Sequence, residues 1–468
     1  MNKYNTKKTY LEAIGLFLWV GSLLSLFLVA HWGATVVSLF MSNVIYILLI
    51  RRCAEEEGRN LTVTRYALAG IGAFLALIWL FTKNYNVLVI LQMLECYVGI
   101  FEVVVHLFQK KDTWKKGGDI LGRVGFVGWI VMAVILLVIS IFFLYIAVNP
   151  HSVAAMMQGE AENVTEAPES KTVQLNCGKY LTNDVQYSER YANGYFDVYS
   201  ASEDFSEAKP VFIYIHGGYW VYNDKASEDP NAEELAGIYN MFYRLVDEGF
   251  QVISVNFALA PEYAYPTPIH QMEDLALFLK EHGAEYGIDA ERIVFGGGGS
   301  GAQIAAQFVI TQTNEAYAED LHIEQILTND EIKAVYMGTA LLNPSKVTDS
   351  DVFLVDYVLY QMARSYFDAG SMEESPRAAQ ANIIANVTED FPAAYITDGN
   401  YMTYSSQAKS LAKKLTELGV TNEILDFNQD EYEGELIMQG YDIMEGEYAE
   451  MNLEKMTAFM REYVLNEK

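Results

Sequence analysis

The chain has 468 residues, 51% of them hydrophobic, and a formal net charge of −30. That length has room for two or three domains, and so acidic a balance excludes a nucleic-acid binder that works by charge. The charge is unevenly shared: residues 1–148 hold 13 basic and 8 acidic side chains, the remaining residues 18 and 53.

Five apolar runs open the sequence: Ile14–Ala30, Ala34–Ile50, Tyr66–Phe81, Val87–Phe108 and Gly125–Val148. Each is close to the length of a bilayer-crossing helix, so residues 1–148 are predicted to be an all-α membrane domain of about five transmembrane helices. Lys3, Lys7 and Lys8 precede the first run. Arg51, Arg52, Arg59 and Arg65 follow the second, and Lys110, Lys111, Lys115, Lys116 and Arg123 follow the fourth. Basic residues collect on the cytoplasmic side. The expectation is a multi-pass cell-membrane protein with a cytoplasmic N-terminus and an extracytoplasmic C-terminal part. Glu95, Glu102 and His106 fall on one face of the fourth run. Ionisable groups at that depth mark either a polar path or helix–helix pairing.

Residues 149–188, with Pro150, Pro168 and little periodicity, are predicted to be a linker. Cys177, within this stretch, is the only cysteine after residue 148, so no disulfide can form within the acidic part. From 189 to 468, apolar strands alternate with helical stretches, the pattern of a mainly parallel sheet covered on both faces. One strand, Pro210–Ile215, ends in His216-Gly217-Gly218-Tyr219-Trp220. A second runs from Gly249 into Phe257-Ala258-Leu259-Ala260-Pro261-Glu262. A third, Ile293-Val294-Phe295, enters four glycines, Gly296 to Gly299, followed by Ser300-Gly301-Ala302-Gln303-Ile304-Ala305-Ala306. A strand that becomes a helix within so few residues needs positive φ and close backbone contact, which glycine permits at least cost.

These three landmarks together resemble the esterase/lipase branch of the α/β hydrolases, the hormone-sensitive-lipase-like group. There a histidine–glycine–glycine segment supplies oxyanion donors, and a G-x-S-x-G turn lifts a serine above the sheet. The resemblance implies a three-layer α/β-hydrolase sandwich over 189–468 with a cap insertion near 345–385. It implies oxyanion donors at Gly217, Gly218 and Ser300, and His216 as a structural residue of the loop. Laid ungapped on the family's turn, Gly299 takes the nucleophile's place, Gly298 that of the preceding Asp and Ser300 that of the next residue. A slipped register would instead make Ser300 the nucleophile. Asp398, after the strand at Phe391–Thr397, is the candidate triad acid, and Gln439 stands where relatives carry histidine.

No histidine follows His322 in the sequence, so a triad in the order serine, acid, histidine cannot be assembled. Gln cannot take and return a proton as imidazole does, and a serine without a base is a weak nucleophile. Three readings follow. The first is a membrane-anchored, catalytically impaired pseudo-esterase that binds an acyl-ester-like small molecule or a protein partner outside the cell. The second is a working carboxylesterase using Ser300 with an unusual base such as His270 or His322. The third is transport or sensing by the membrane spans, with the outer domain as an accessory. No metal and no cofactor is expected under any of them.

Overall fold

The computed structural model describes Leu18, residues 32–53, 59–82 and 85–115, scattered positions between 127 and 144, and residues 145–465 apart from 160, 167, 227, 233–236, 351 and 428–431. The chain divides into two compact units, 1–152 with 353–361, and 153–352 with 362–468.

In the first unit, helices α1 (Trp32–Cys53), α2 (Arg59–Thr82) and α3 (Tyr85–Lys115) pack in sequence. Among the described residues two stretches, Leu61–Thr82 and Val87–Val105, are long and apolar enough to cross a bilayer, and Val36–Arg51 is a shorter apolar one. Two candidate spans therefore stand where about five were expected. The first expected run lies almost wholly outside the described residues, as does part of the fifth. Two ionisable groups of α3, Glu95 and Glu102, have partners inside this unit. Arg65 donates through Nε and Nη2 to the two oxygens of Glu102 at 2.6 and 2.7 Å, and Tyr46 donates to the same carboxylate. Asn43 Nδ2 donates to Glu95 Oε1 at 2.6 Å. Arg65, expected in a basic loop, is instead fully buried. A bidentate guanidinium–carboxylate pair compensates each charge in an apolar setting where either alone would be prohibitive. The His106 side chain lies outside the described residues.

The second unit is built on a nine-stranded sheet: β1 (Lys171–Gln174), β2 (Tyr180–Gln186), β3 (Tyr195–Ser200), β4 (Lys209–Ile215), β5 (Gln251–Val255), β6 (Ile288–Gly298), β7 (Ile332–Gly338), β8 (Ala393–Asp398) and β9 (Asn422–Asp426). Their spatial order is β1-β2-β3-β5-β4-β6-β7-β8-β9. The first three strands pair antiparallel and everything from β5 to β9 is parallel. The central strands are apolar on both faces because helices cover both. On β4, Phe212 and Tyr214 join one large core with α5 (Gly237–Asp247) and the C-terminal helix α13 (Glu447–Met460). On the other face lie α6 (Thr267–His282), α7 (Ser300–Thr313) and α12 (Ser405–Glu417).

Residues 149–188, expected as a linker, carry helix α4 (Pro150–Gln158) and strands β1 and β2. The region expected as a cap carries α9 (Phe353–Tyr366), α10 (Pro376–Gln380) and α11 (Ile383–Asn386); α8 (Glu315–Leu321) precedes it. β4 and β6 lie side by side at the centre of the sheet, so the two glycine-rich segments that follow them emerge together at the carboxyl end of the strands. In open parallel sheets that end is where ligands bind.

Candidate active site

Gly299 forms the apex of the turn between β6 and α7, with φ 56° and ψ −116°. Its N–H donates to the Gly338 carbonyl at 2.8 Å. The turn is sharp because its flanking residues lack Cβ atoms: one at Gly301 would sit 2.0 Å from the Ile215 carbonyl oxygen, one at Gly297 2.4 Å from the same atom. At the apex the situation is reversed. A Cβ on Gly299 would meet nothing nearer than the Gly217 Cα, 4.0 Å away. A side chain there would have room between the turn and the His-Gly-Gly loop.

Ser300 is the first residue of α7 and is 1% exposed. Its Oγ accepts the Trp220 backbone N–H at 3.2 Å. The hydroxyl is thus engaged with the loop it packs on, and among the described residues no imidazole or carboxylate is its hydrogen-bond partner.

The loop after β4 is unusually strained. Gly218, Tyr219, Trp220 and Asn223 all have positive φ, and a Cβ on Gly218 would lie 2.0 Å from the Tyr222 carbonyl oxygen. Strain of this kind persists only where surrounding packing over-determines it. Here Trp220 is fully buried, stacked on Tyr366 at 4.7 Å between ring centres, and its Nε1 donates to Gln303 Oε1 at 3.1 Å. Gln303 donates in turn to Gln307, one helical turn along α7, and Gln307 Nε2 meets the hydroxyls of Tyr265 and Tyr317. This chain of satisfied buried amides ties the loop to the helix of the turn. His216 is buried, its ring stacked on Phe257 at 4.4 Å, and its Nδ1 donates to the Gly217 carbonyl at 2.7 Å. Burial lowers its pKa and keeps it neutral.

Together the turn, the loop and the segment Gln439–Ile443 enclose a cleft of about 250 Å³. Gly217, Gly218, Gly299, Ser300 and Gln439 all border it, with His216 and Gly298 beside them. Asp398 does not border it. That carboxylate is 2% exposed and closes its own turn, Oδ1 accepting the Gly399 N–H at 2.8 Å and Oδ2 the Tyr404 N–H at 3.0 Å. Burial holds its pKa well above the usual carboxylate range. Gln439 takes other partners: its Oε1 accepts the Tyr219 hydroxyl and its Nε2 donates to the Thr339 carbonyl at 3.2 Å. Its backbone N–H reaches Tyr401, so the neighbouring loop meets Gln439 beyond Asp398. Assigning Asp398 to orient the residue at 439 is therefore corrected by the hydrogen bonds the carboxylate makes. His270 and His322, considered as displaced bases, do not border the cleft either; the histidine that does is His216.

Asp442 is one of the lining residues that the sequence does not single out. It is 4% exposed and its Oδ2 accepts the Tyr336 hydroxyl at 2.6 Å. Burial raises its pKa to about 6. The sequence offers no mark that separates it from the many exposed acids around it.

Residues 212–433 match a family model described as α/β hydrolase fold. The chain is 29% identical over 219 residues to esterase LipI of Mycobacterium tuberculosis, covering 46% of this chain and 62% of that protein. It is 24% identical over 215 residues to an arylesterase of Saccharolobus solfataricus, covering 45% and 63%. Over 97 residues it is 35% identical to the arylacetamide deacetylase of Oryctolagus cuniculus, covering 20% and 22%. The chain thus spans less than two thirds of the curated relatives it matches. Among solved structures, esterase B of Lactobacillus rhamnosis aligns over 66% of this chain and 91% of its own, at 18% identity and a TM-score of 0.48. The second unit is an α/β-hydrolase-fold domain with a mostly parallel sheet and esterase relatives.

Proposed function

We propose that this domain keeps the ligand cleft of an esterase without its nucleophile, and holds an acyl- or ester-like small molecule rather than hydrolysing it. The observation that carries this reading is Gly299. The apex of the turn has the φ above zero and the open space above it that a displayed nucleophile needs, and the residue there has no side chain. Around it, Gly217, Gly218 and Ser300 supply N–H groups suited to a polarised carbonyl oxygen. Gln439 supplies an amide where proton transfer would require an imidazole. A protein partner outside the cell is the other occupant compatible with the reading.

A second reading is hydrolysis of carboxylic esters through Ser300. Taken alone, the kinship with named esterases favours it over the first. Against it stands the Ser300 hydroxyl's engagement with the Trp220 N–H, with no histidine or carboxylate of the described residues hydrogen-bonded to it. Hydrolysis of short-chain nitrophenyl esters by the purified full chain separates the two. The first reading expects the same rate from the unmodified protein and Ser300→Ala; a loss of 100-fold or more on Ser300→Ala would establish the second.

We further propose that the N-terminal helices anchor the chain in a membrane with the acidic domain on the outer face. The basic loop residues support this, although Arg65 no longer counts among them. Protease added to intact cells is expected to release the acidic domain. Cleavage only after lysis would reverse the orientation.

A further inference from the structure

A second cavity of about 250 Å³ lies beside the cleft, and the proposed reading does not use it. Asp442 and Asn452, 4% and 1% exposed, contribute to its wall, and the exposed Glu445 and Glu450 also border it. Asp442 borders the cleft as well, so one carboxylate belongs to both spaces.

The two buried side chains meet at one hydroxyl. Tyr336 donates to Asp442 Oδ2 at 2.6 Å and accepts from Asn452 Nδ2 at 3.3 Å. This arrangement fixes which end of each group is spent. The tyrosine's single proton goes to Asp442, and the Asn452 amide turns its nitrogen to the tyrosine, leaving its oxygen as an acceptor. Asp442 Oδ1 and Asn452 Oδ1 then have no hydrogen-bond partner. Two buried acceptors without donors, one of them on a carboxylate, are costly unless something supplies N–H or O–H groups. No Lys, Arg or His of the described residues lines this cavity; the nearby Arg244 is spent on Glu450 and does not reach these two oxygens.

We propose that this cavity binds a small organic ammonium ion whose N–H groups donate to Asp442 Oδ1 and Asn452 Oδ1. An ammonium group offers three donors and no acceptor, the complement of what the wall presents. Glu445 adds negative potential, Glu450 being paired with Arg244 at 2.8 Å, and the net negative charge of this part of the chain draws cations towards it. Met241 and Leu453 give a short alkyl stem an apolar surface. A metal ion fits less well, because no group of three His, Cys, Asp or Glu side chains is arranged to hold one among the described residues. The inference stands apart from the reading of the cleft, since it needs neither a nucleophile nor the loss of one.

The test is isothermal titration of the full chain in detergent micelles with n-propylammonium chloride. Tetramethylammonium chloride, n-propanol and potassium chloride at matched ionic strength are the comparisons. Propylammonium is expected to bind at least tenfold more tightly than tetramethylammonium, which has no N–H to donate, with no measurable heat from propanol. Asp442→Asn should weaken propylammonium binding at least tenfold. Asn452→Asp, which adds a second charge at the same wall, should tighten it several-fold and serves if the first variant does not fold. Equal binding of the two ammonium ions, or an affinity indifferent to both substitutions, would mean that water alone satisfies these oxygens and would overturn the proposal.

Discussion

The turn Gly297–Gly301 and the loop Met438–Asp442 reach the same cleft, and they differ in what they bring to it. The turn brings backbone. Its apex is held at φ 56° by a hydrogen bond to Gly338 and by flanking glycines that admit α7 against the end of β4, yet no side chain stands at that apex. The loop brings side chains, and they are tied down: Gln439 between Tyr219 and Thr339, Asp442 to Tyr336. The geometry of an esterase site and its reactivity are therefore separable. The first resides in backbone close approach and survives any substitution that respects the space. The second resides in two or three functional groups and is lost with them.

Glycine substitutions break the comparison most severely. Gly301→Ala would place a Cβ 2.0 Å from a backbone oxygen that cannot move without shifting β4. It is expected to destabilise the domain by about 3 kcal/mol or more, because overpacking against backbone has no flexible side chain to absorb it. Gly299→Ala meets only open space, and its cost is the positive φ alone, on the order of 1–2 kcal/mol. Urea midpoints of the two variants measure the contrast. Equal losses would show that the apex is as crowded as its flank.

A smaller effect tests the loop. Burial raises the Asp442 pKa from 3.8 to about 6, so the folded state holds this proton more tightly than the unfolded one. The stability that follows is fully present below about pH 4 and is lost as pH rises through 6. The unmodified protein should therefore lose on the order of 2–3 kcal/mol relative to Asp442→Asn between pH 4 and pH 7. Parallel denaturation curves of the two proteins across that range would sharpen the account. A difference independent of pH would show that Asp442 is ionised in the fold throughout.

How legible each region was in the sequence follows from the same physics. The central strands are readable because β4 and β5 are mostly apolar and β6 carries the apolar run Ile293–Phe295, and the glycines that follow β4 and close β6 mark the turns. β1 and β2 lie where the sequence predicts a linker. All four residues of β1 are exposed, and Lys171-Thr172-Val173-Gln174 carries too little apolar content for period two to show. Arg65 reads as a loop cation because a buried arginine looks no different in sequence from an exposed one until its partner, Glu102, is seen. Asp398 reads as the site's acid because it is the acid in the expected turn. What decided otherwise was the direction of its carboxylate towards two backbone N–H groups, which a sequence does not carry. Asp442 escaped notice for the same reason.

The most direct test of the central claim is labelling of the full chain by a serine-directed fluorophosphonate, read by mass spectrometry at the modified residue. In the unmodified protein no adduct is expected on Ser300. In Gly299→Ser combined with Gln439→His, a hydroxyl returns to the apex and an imidazole to the loop, with the Thr339 carbonyl that now accepts from Gln439 Nε2 placed to orient the ring. An adduct on the serine at position 299 of the double variant, in yield exceeding either single variant, is the predicted result. An adduct on Ser300 of the unmodified protein, abolished by Ser300→Ala, would contradict the account and make this chain a hydrolase with its nucleophile one residue further on.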